Sequence, residues 1–191
     1  MPTEILIVGQ FPPPFHGSNI MAERFHDSLE NLGYQVSIVE KTFSRKIEEV
    51  GTFSLKKLLR AQVVVFKVVR SLVATRADLC FYFISLKFPS FYIDVMFLLV
   101  LRLIGTHVVL YIHGKGFQRS AERSPLMRWL LKSPMISKSL GALVLGEILK
   151  KDIDSFIPND RLFVLPNCIP DVSAQVLSTY RTKSKSDKIR I

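Results

Sequence analysis

The sequence predicts an α/β domain that is doubly wound around a mostly parallel sheet of about six strands. Three observations carry this prediction: apolar runs alternate with amphipathic stretches, the runs show no polar alternation, and glycines follow the helical stretches. Continuous Val, Ile, Leu and Phe runs are typical of parallel strands covered on both faces. Strands that alternate with helices form right-handed βαβ units. With 48% hydrophobic residues among 191, the chain can bury one full core.

The apolar runs and periodic stretches define the individual elements. We predict strands at Glu4–Gly9, Tyr34–Glu40, Asp78–Ile84, His107–Ile112, Ala142–Leu145 and Leu162–Leu165. We predict helices at Ser18–Leu32, Leu55–Thr75, Ser90–Ile104, Pro125–Ser137 and Glu147–Phe156. Gly33 and Gly105 follow the first and third helices, where glycine commonly ends a helix. The apolar stretch Phe91–Ile104 contains Asp94 and Arg102 and is shorter than the roughly 20 residues of a membrane span, so we interpret it as a core helix. The result is a Rossmann-like domain.

The charge of the chain indicates an anionic partner. Twenty-six Lys and Arg residues against 16 Asp and Glu give a net charge of +10, which favours a phosphorylated substrate, a lipid surface or a nucleic acid. No groove-reading module or aromatic platform motif is present, so we expect no nucleic-acid partner. Cys80, in an apolar strand, and Cys168, in a loop, match no metal spacing and favour a reducing compartment. Without a secretory signal in the sequence, we expect a cytoplasmic location.

Two helices concentrate basic residues. On the Leu55–Thr75 helix one narrow stripe carries Lys56, Arg60, Lys67 and Arg70, which a solvated face would explain. Around the fourth helix, basic residues that include Arg128 and Lys132 interleave with Leu126 and Trp129, a composition typical of helices at a lipid interface. Core packing is the alternative there. An anionic membrane surface is therefore an expected partner, at the inner face of the membrane.

The last residues of the chain have the composition of a linker. Arg181–Asp187 is polar and charged, and Lys188–Ile191 has the pattern of a beginning strand. We expect residues 1–180 to form the domain, and 181–191 to form a linker and the start of an absent second domain. A frayed terminus is the alternative.

The loop after the first strand has the outline of a phosphate site. It runs through Pro12-Pro13-Pro14, a stiff extended wall, to His16, Gly17 and Ser18. Ser18 is a good N-cap, Gly17 allows close approach of a ligand, and free amides at a helix start attract anions. The loop lacks the glycine pattern of dinucleotide-binding and P-loop proteins. An ordinary strand-to-helix connection remains the other interpretation.

Further candidates follow later strands, and the carboxyl ends of parallel strands share one edge of the sheet. His113 follows the fourth strand, and Gly114 and Lys115 add open space and positive charge, although a lone histidine is often structural. Glu147 follows the fifth strand, where the first turn of a helix favours a carboxylate in any case. Asn167 follows the sixth strand and is also a good turn former.

Four segments, in order along nearly the whole chain, together resemble family-4 glycosyltransferases of the GT-B fold: Pro12–Gly17, His113–Phe117, Val144–Lys150 and Val164–Asp171. That family pairs two Rossmann-like domains, the first mainly for the acceptor and the second for the nucleotide-sugar donor. The chain departs from the family at two points. His16-Gly17 stands where many members have Gly-Gly, and Pro-Asn-Cys at 166–168 stands where many have Pro-Asn-Gly.

The resemblance implies roles for several residues. It places Gly17 and Ser18 near the donor diphosphate, the catalytic His113 near the transferred sugar, and Asn167 near the crossover between domains. The other predicted substrate-binding residues are His16, Gly114, Lys115 and Glu147. The resemblance also implies retention of the anomeric configuration, with the diphosphate stabilised by helix N-termini and basic residues. No metal cluster is visible in the sequence, and no cofactor is expected beyond the nucleotide sugar as substrate.

We therefore interpret the chain as the acceptor domain of a GT-B glycosyltransferase that acts on a saccharide, expected to be lipid-linked, in surface polysaccharide or glycolipid synthesis. Alone it should be inactive, because the glutamate-rich donor motif of the family belongs to the second domain. One alternative is a non-catalytic Rossmann-like module that binds a membrane or a protein. A nucleotide-binding epimerase or reductase is disfavoured by the missing glycine pattern.

Overall fold

The computed structural model describes residues 4–13, 15, 17–41, 55–75, 77–87 and 90–167. Within them the strands are β1 (Glu4–Gly9), β2 (Gln35–Glu40), β3 (Leu79–Ile84), β4 (His107–Ile112), β5 (Gly141–Val144) and β6 (Leu162–Val164). They form one sheet in the order β2-β1-β3-β4-β5-β6, and every pair is parallel. The predicted parallel sheet is confirmed.

Helices cover both faces of this sheet. They are α1 (Gly17–Asn31), α2 (Leu55–Thr75), α3 (Ser90–Leu103), α4 (Phe117–Arg123), α5 (Pro125–Leu131), α6 (Pro134–Ser137) and α7 (Glu147–Ile153), with a 3₁₀ turn at Asn159–Arg161. On one face, Ala22 and Leu29 of α1 pack with Ile5 and Ile7 of β1. The other described helices contribute to a larger core on the opposite face. The doubly wound, Rossmann-like prediction is therefore confirmed.

The prediction of one continuous fourth helix was wrong. The single helix expected over Pro125–Ser137 is split into α5 and α6, and α4 precedes them. Pro134 lacks an N–H and begins α6, while Ser124 caps α5 by accepting a hydrogen bond from Met127 N at 3.2 Å. The signal for α4 was the pair Phe117 and Ala121, four residues apart and both buried.

The third helix lies in the core as expected. Phe91, Phe97 and Leu101 of α3 have no exposed surface. No helix among the described residues is long and apolar enough to cross a membrane. Cys80 is buried as predicted, and burial raises the pKa of its thiol. Cys168 and the linker predicted at 181–191 lie outside the described residues.

The strand order fixes where a ligand would enter. From β1 the chain moves outward to β2, and then crosses back over β1 to β3. In open parallel sheets, ligands bind outside the carboxyl ends of the strands where the winding direction reverses. That point lies between the ends of β1 and β3, beside the end of β4.

Candidate functional site

The first candidate segment lies at the end of β1, where α1 begins. Gly17 is the first residue of α1, and a Cβ placed on it would meet nothing within 4 Å. Ser18 is exposed within the first helical turn, so it is not the N-cap that the sequence predicted; its hydroxyl donates to Asn19 Oδ1 at 3.3 Å. The position before Gly17 is His16, which lies outside the described residues.

The proline segment before α1 differs from expectation. Pro12 and Pro13 form a bend joined by a cis peptide bond, whereas an extended wall was predicted. Pro14 lies outside the described residues, and Phe15 is exposed.

His113 follows β4 directly and rests on aromatic rings. Its imidazole stacks on Phe83 of β3, with centroids 5.3 Å apart and planes 15° apart, and lies 4.3 Å from the ring of Tyr111. Burial lowers the pKa of His113 from its ordinary value of 6.5 to about 4, so the imidazole is neutral at physiological pH. Its Nε2 is shielded from solvent and has no hydrogen-bond partner within the described part of the chain. A neutral imidazole with a free nitrogen can donate to or accept from a hydroxyl, depending on its tautomer.

Phe83 links the end of β4 to the end of β1. A Cβ on Gly9, the last residue of β1, would come within 3.2 Å of the Phe83 ring that stacks on His113. Phe25 of α1 also meets this group, edge to face with Phe81 at 4.8 Å and with Tyr111 at 5.5 Å. His113 and α1 therefore lie on the same face of the sheet, with the start of α1 and His113 at the same edge.

The glycine-rich turn after His113 leads into α4. Gly114 and Lys115 are exposed, and a Cβ on Gly114 would meet nothing within 4 Å. Gly116 adopts φ 124°, a conformation that favours glycine. Its amide donates to Asp152 Oδ2 of α7 at 2.6 Å, so this amide is not available to a ligand.

A second buried carboxylate lies at the end of β3. Asp94 of α3 accepts from Lys41 Nζ at 2.8 Å, from the Tyr82 hydroxyl at 2.7 Å and from the amide of Ser85 at 2.7 Å. Burial lowers the pKa of Lys41 below 10.5, and the charge of Asp94 opposes that shift. Lys41 Nζ also lies 4.5 Å from the centroid of the Tyr82 ring.

The two remaining candidates are exposed at the same edge. Glu147 begins α7 and pairs with Lys150 Nζ at 3.0 Å, which matches the first-turn carboxylate that the sequence left as the plainer alternative. Asn167 is exposed beyond β6. Because β5 and β6 lie beyond β4 in the sheet, both residues are farther from β1 than His113 is.

Sequence reasoning missed the residues that hold this edge in place. Asp94 could have been noticed, since a carboxylate in an otherwise apolar helix is rarely buried without a partner. Asp152 follows Lys150 and Lys151 in an ordinary polar stretch, and nothing local marks it as a cap for α4. Asp94 lies 53 positions from Lys41, and Asp152 lies 34 to 36 positions from the amides that it binds.

No family model matches the chain, and no curated protein matches it. Among solved structures, it is similar to a protein from Klebsiella pneumoniae assigned as a quinone reductase, with a TM-score of 0.44 and 11% identity over 97% of this chain and 86% of that one. It is also similar to MurG from Acinetobacter baumannii, with a TM-score of 0.42 and 10% identity over 98% of this chain and 50% of MurG. Likenesses at this level assign no activity to the chain.

Proposed function

We propose that this chain is the acceptor-side domain of a retaining GT-B glycosyltransferase, which transfers a sugar from a nucleotide-sugar donor to a saccharide acceptor at the cytoplasmic face of a membrane. The proposal rests mainly on His113, which lies at the carboxyl edge of the sheet. Its imidazole is neutral, and its Nε2 has no hydrogen-bond partner among the described residues. A neutral imidazole can bond a sugar hydroxyl without the desolvation cost of a cation. The four segments that resemble family-4 glycosyltransferases supply the reaction class.

The surroundings of His113 leave room for a polar ligand. Gly17, Gly114 and Gly146 all follow strands at this edge, and a Cβ on each would meet nothing within 4 Å. The α1 start supplies backbone amides that suit a diphosphate, and Lys115 supplies an exposed cation. Pockets of this kind combine open space with a few convergent polar groups.

Three described carboxylates, Asp94, Asp152 and Glu147, are not free to act as the nucleophile of a double displacement. A retaining glycosidase-type reaction needs two carboxyl groups about 5 Å apart, one of them a free nucleophile. Asp94 and Asp152 are instead bonded to structural donors, and Glu147 is paired with Lys150. Stabilisation of a leaving diphosphate by amides and cations does not need such a nucleophile.

Replacing His113 tests the proposed chemistry. In the complete enzyme, His113→Ala should lower kcat on the order of 100-fold and change nucleotide affinity little, because the lost hydrogen bond serves the transferred sugar. The matched control is His107→Ala, at the exposed start of β4. An unchanged kcat would remove His113 from the mechanism, and absence of any sugar transfer by the complete protein would favour the non-catalytic module.

The membrane part of the proposal rests on exposed apolar and basic side chains. Trp129 of α5 is 65% exposed beside exposed Leu126, while Leu130 and Leu131 of the same helix are buried in the core. One face of α5 therefore packs in the core, which was the alternative interpretation, and we propose that the exposed face contacts lipid. A helix with an apolar outer face flanked by cations is suited to an anionic lipid interface.

Helix α2 presents a similar surface. A stripe along it exposes Leu59, Val63, Phe66 and Val73, with Phe66 67% exposed. Lys67 and Arg70 are exposed on the same helix, in agreement with the solvated basic face expected, and the exposed apolar side chains accompany them. The side chains of Lys56 and Arg60 lie outside the described residues.

Vesicle binding tests the membrane contact. We expect co-sedimentation with anionic but not neutral vesicles, a blue shift in the emission of Trp129, which is the only tryptophan, and weaker binding in salt. Arg123→Glu with Lys132→Glu should weaken binding at least about tenfold, at about 1 kcal/mol per charge. Arg128 is avoided because its Nε donates to the carbonyl of Ala121.

The control for this test is Lys151→Glu, an exposed charge on α7. Equal binding to neutral vesicles, or an unshifted Trp129 at saturating anionic lipid, would rule out α5 as the contact.

A further inference from the structure

The loop that carries His113 is fixed at its far end by a residue from another part of the chain. Asp152 of α7 accepts from three consecutive amides at the start of α4: Gly116 at 2.6 Å, Phe117 at 2.9 Å and Gln118 at 3.4 Å. The residue is only 8% exposed. Within the described residues no basic side chain pairs with it, so backbone amides stabilise its charge.

This cap replaces one that the local sequence cannot provide. The N-cap position of α4 is Gly116, which has no side chain to accept from the free amides of the first turn. The cap is therefore supplied from α7, 34 to 36 residues further along the chain. A local cap would stabilise α4 alone, whereas this remote cap ties the end of the loop to α7.

Only His113, Gly114, Lys115 and Gly116 lie between β4 and α4. The near end is held by the buried Ile112 and by the stacking of His113 on Phe83. Two of the four residues are glycines, which restrict the backbone least. Release of the far end would therefore let His113 and Lys115 shift together.

We propose that Asp152 is a positioning residue for His113, because its carboxylate fixes the far end of the short loop from which the imidazole projects. This inference rests on the proposed function for the role of His113 in sugar transfer, whereas the fixing of the loop can be tested without it. A reacting group displaced by about 1 Å can cost on the order of 100-fold in rate.

The first test uses the present chain and needs no activity. NMR should show that Asp152→Ala speeds hydrogen exchange of the Gly116 and Phe117 amides at least tenfold. The same variant should raise the pKa of His113 from about 4 towards 6.5, because the ring becomes more exposed. Asp152→Asn keeps the side-chain volume and serves if alanine prevents folding; its amide group should produce a smaller change in the same direction. Asp154→Asn, an exposed aspartate just beyond α7, is the matched control and should change neither value.

If both Asp152 variants fold but leave the exchange rates and the His113 titration unchanged, the proposal is overturned. In the complete enzyme, Asp152→Ala should lower kcat about 10- to 100-fold with the donor KM within about threefold, and Asp152→Asn should recover part of the loss. An unchanged kcat in both Asp152 variants, with His113→Ala impaired, would also overturn the positioning role. A rate unaffected by His113→Ala would instead reject the proposed function, with the NMR result still deciding whether Asp152 fixes the loop.

Discussion

Among the described residues, two buried carboxylates lie at the carboxyl edge of the sheet, and they are stabilised in different ways. Asp94 binds the cation of Lys41, together with the Tyr82 hydroxyl and the Ser85 amide. Asp152 binds three backbone amides at the start of α4. Each is contributed by a helix and accepts from a loop that follows a neighbouring strand.

The difference lies in what each carboxylate connects. Lys41 follows β2 and Tyr82 lies in β3, so Asp94 joins two strands and a helix through a desolvated ion pair. Asp152 joins α7 to the loop that carries His113. The first arrangement should therefore govern the stability of the whole domain, and the second the geometry of one loop.

Removing the cation from the Asp94 group should have the largest effect on stability. Lys41→Met leaves a fully buried carboxylate without its ion-pair partner, so we expect the free energy of unfolding to fall by about 3–5 kcal/mol. Urea denaturation followed by circular dichroism measures it. Lys138→Met, at an exposed lysine, is the control and should change stability by less than about 0.5 kcal/mol.

A double variant separates the ion pair from simple packing. Lys41→Met combined with Asp94→Leu removes both charges and should recover part of the loss, since the cost comes from an uncompensated buried charge. If Lys41→Met costs no more than Lys138→Met, the contrast between the two carboxylates fails.

Acid should destabilise the fold by protonating His113, which lies in the loop that Asp152 holds. The pKa of His113 is about 4 in the folded protein and 6.5 ordinarily, so between these values only the unfolded chain binds the proton. The free energy of unfolding therefore falls as the pH drops from 6.5 towards 4. The stability that the neutral His113 contributes is fully lost below about pH 4. Between about pH 7 and about pH 3.5 the wild type should lose on the order of 2 kcal/mol more than His113→Asn, after allowance for partial exposure.

His107→Asn is the control for acid unfolding, because His107 is exposed at the other end of β4. It should keep the wild-type pH dependence. Equal acid sensitivity of His113→Asn and the wild type would mean that His113 is protonated without disturbing the fold.

Some features of this structure can be predicted from the sequence alone, and others cannot. Strands β1 and β4 were predicted to the residue, because continuous apolar runs bounded by polar or glycine residues are local signals. Gly33 and Gly105 take φ values of 87° and 86° after their helices, as glycine at a helix end predicts. Local patterns were thus sufficient for the sheet and for the position of His113 at its edge.

The residues that shape the site depend on contacts between distant parts of the chain. Lys41 and Asp94 are 53 positions apart, and neither one marks the other in the sequence. Burial beside Phe83 and Tyr111 explains the low pKa of His113 and the lack of a hydrogen-bond partner for its Nε2 among the described residues. These two rings become neighbours only when β3 pairs with β4. The splitting of α5 from α6 had a local signal in Pro134, which the periodic pattern obscured.

The smallest expected effect concerns the backbone that Asp152 holds. Gly116→Ala should cost about 1–2 kcal/mol in the free energy of unfolding, because φ 124° is strained for a residue with a Cβ. The cost is conformational, since the nearest atom to that Cβ would be Leu86 Cδ1 at an ordinary 3.8 Å. Gly146→Ala, with φ −176° and open space around its Cβ, is the matched control and should be nearly neutral. Equal stability of the two variants would show that the loop adopts another backbone conformation without loss, and Asp152 would then not enforce one geometry on His113.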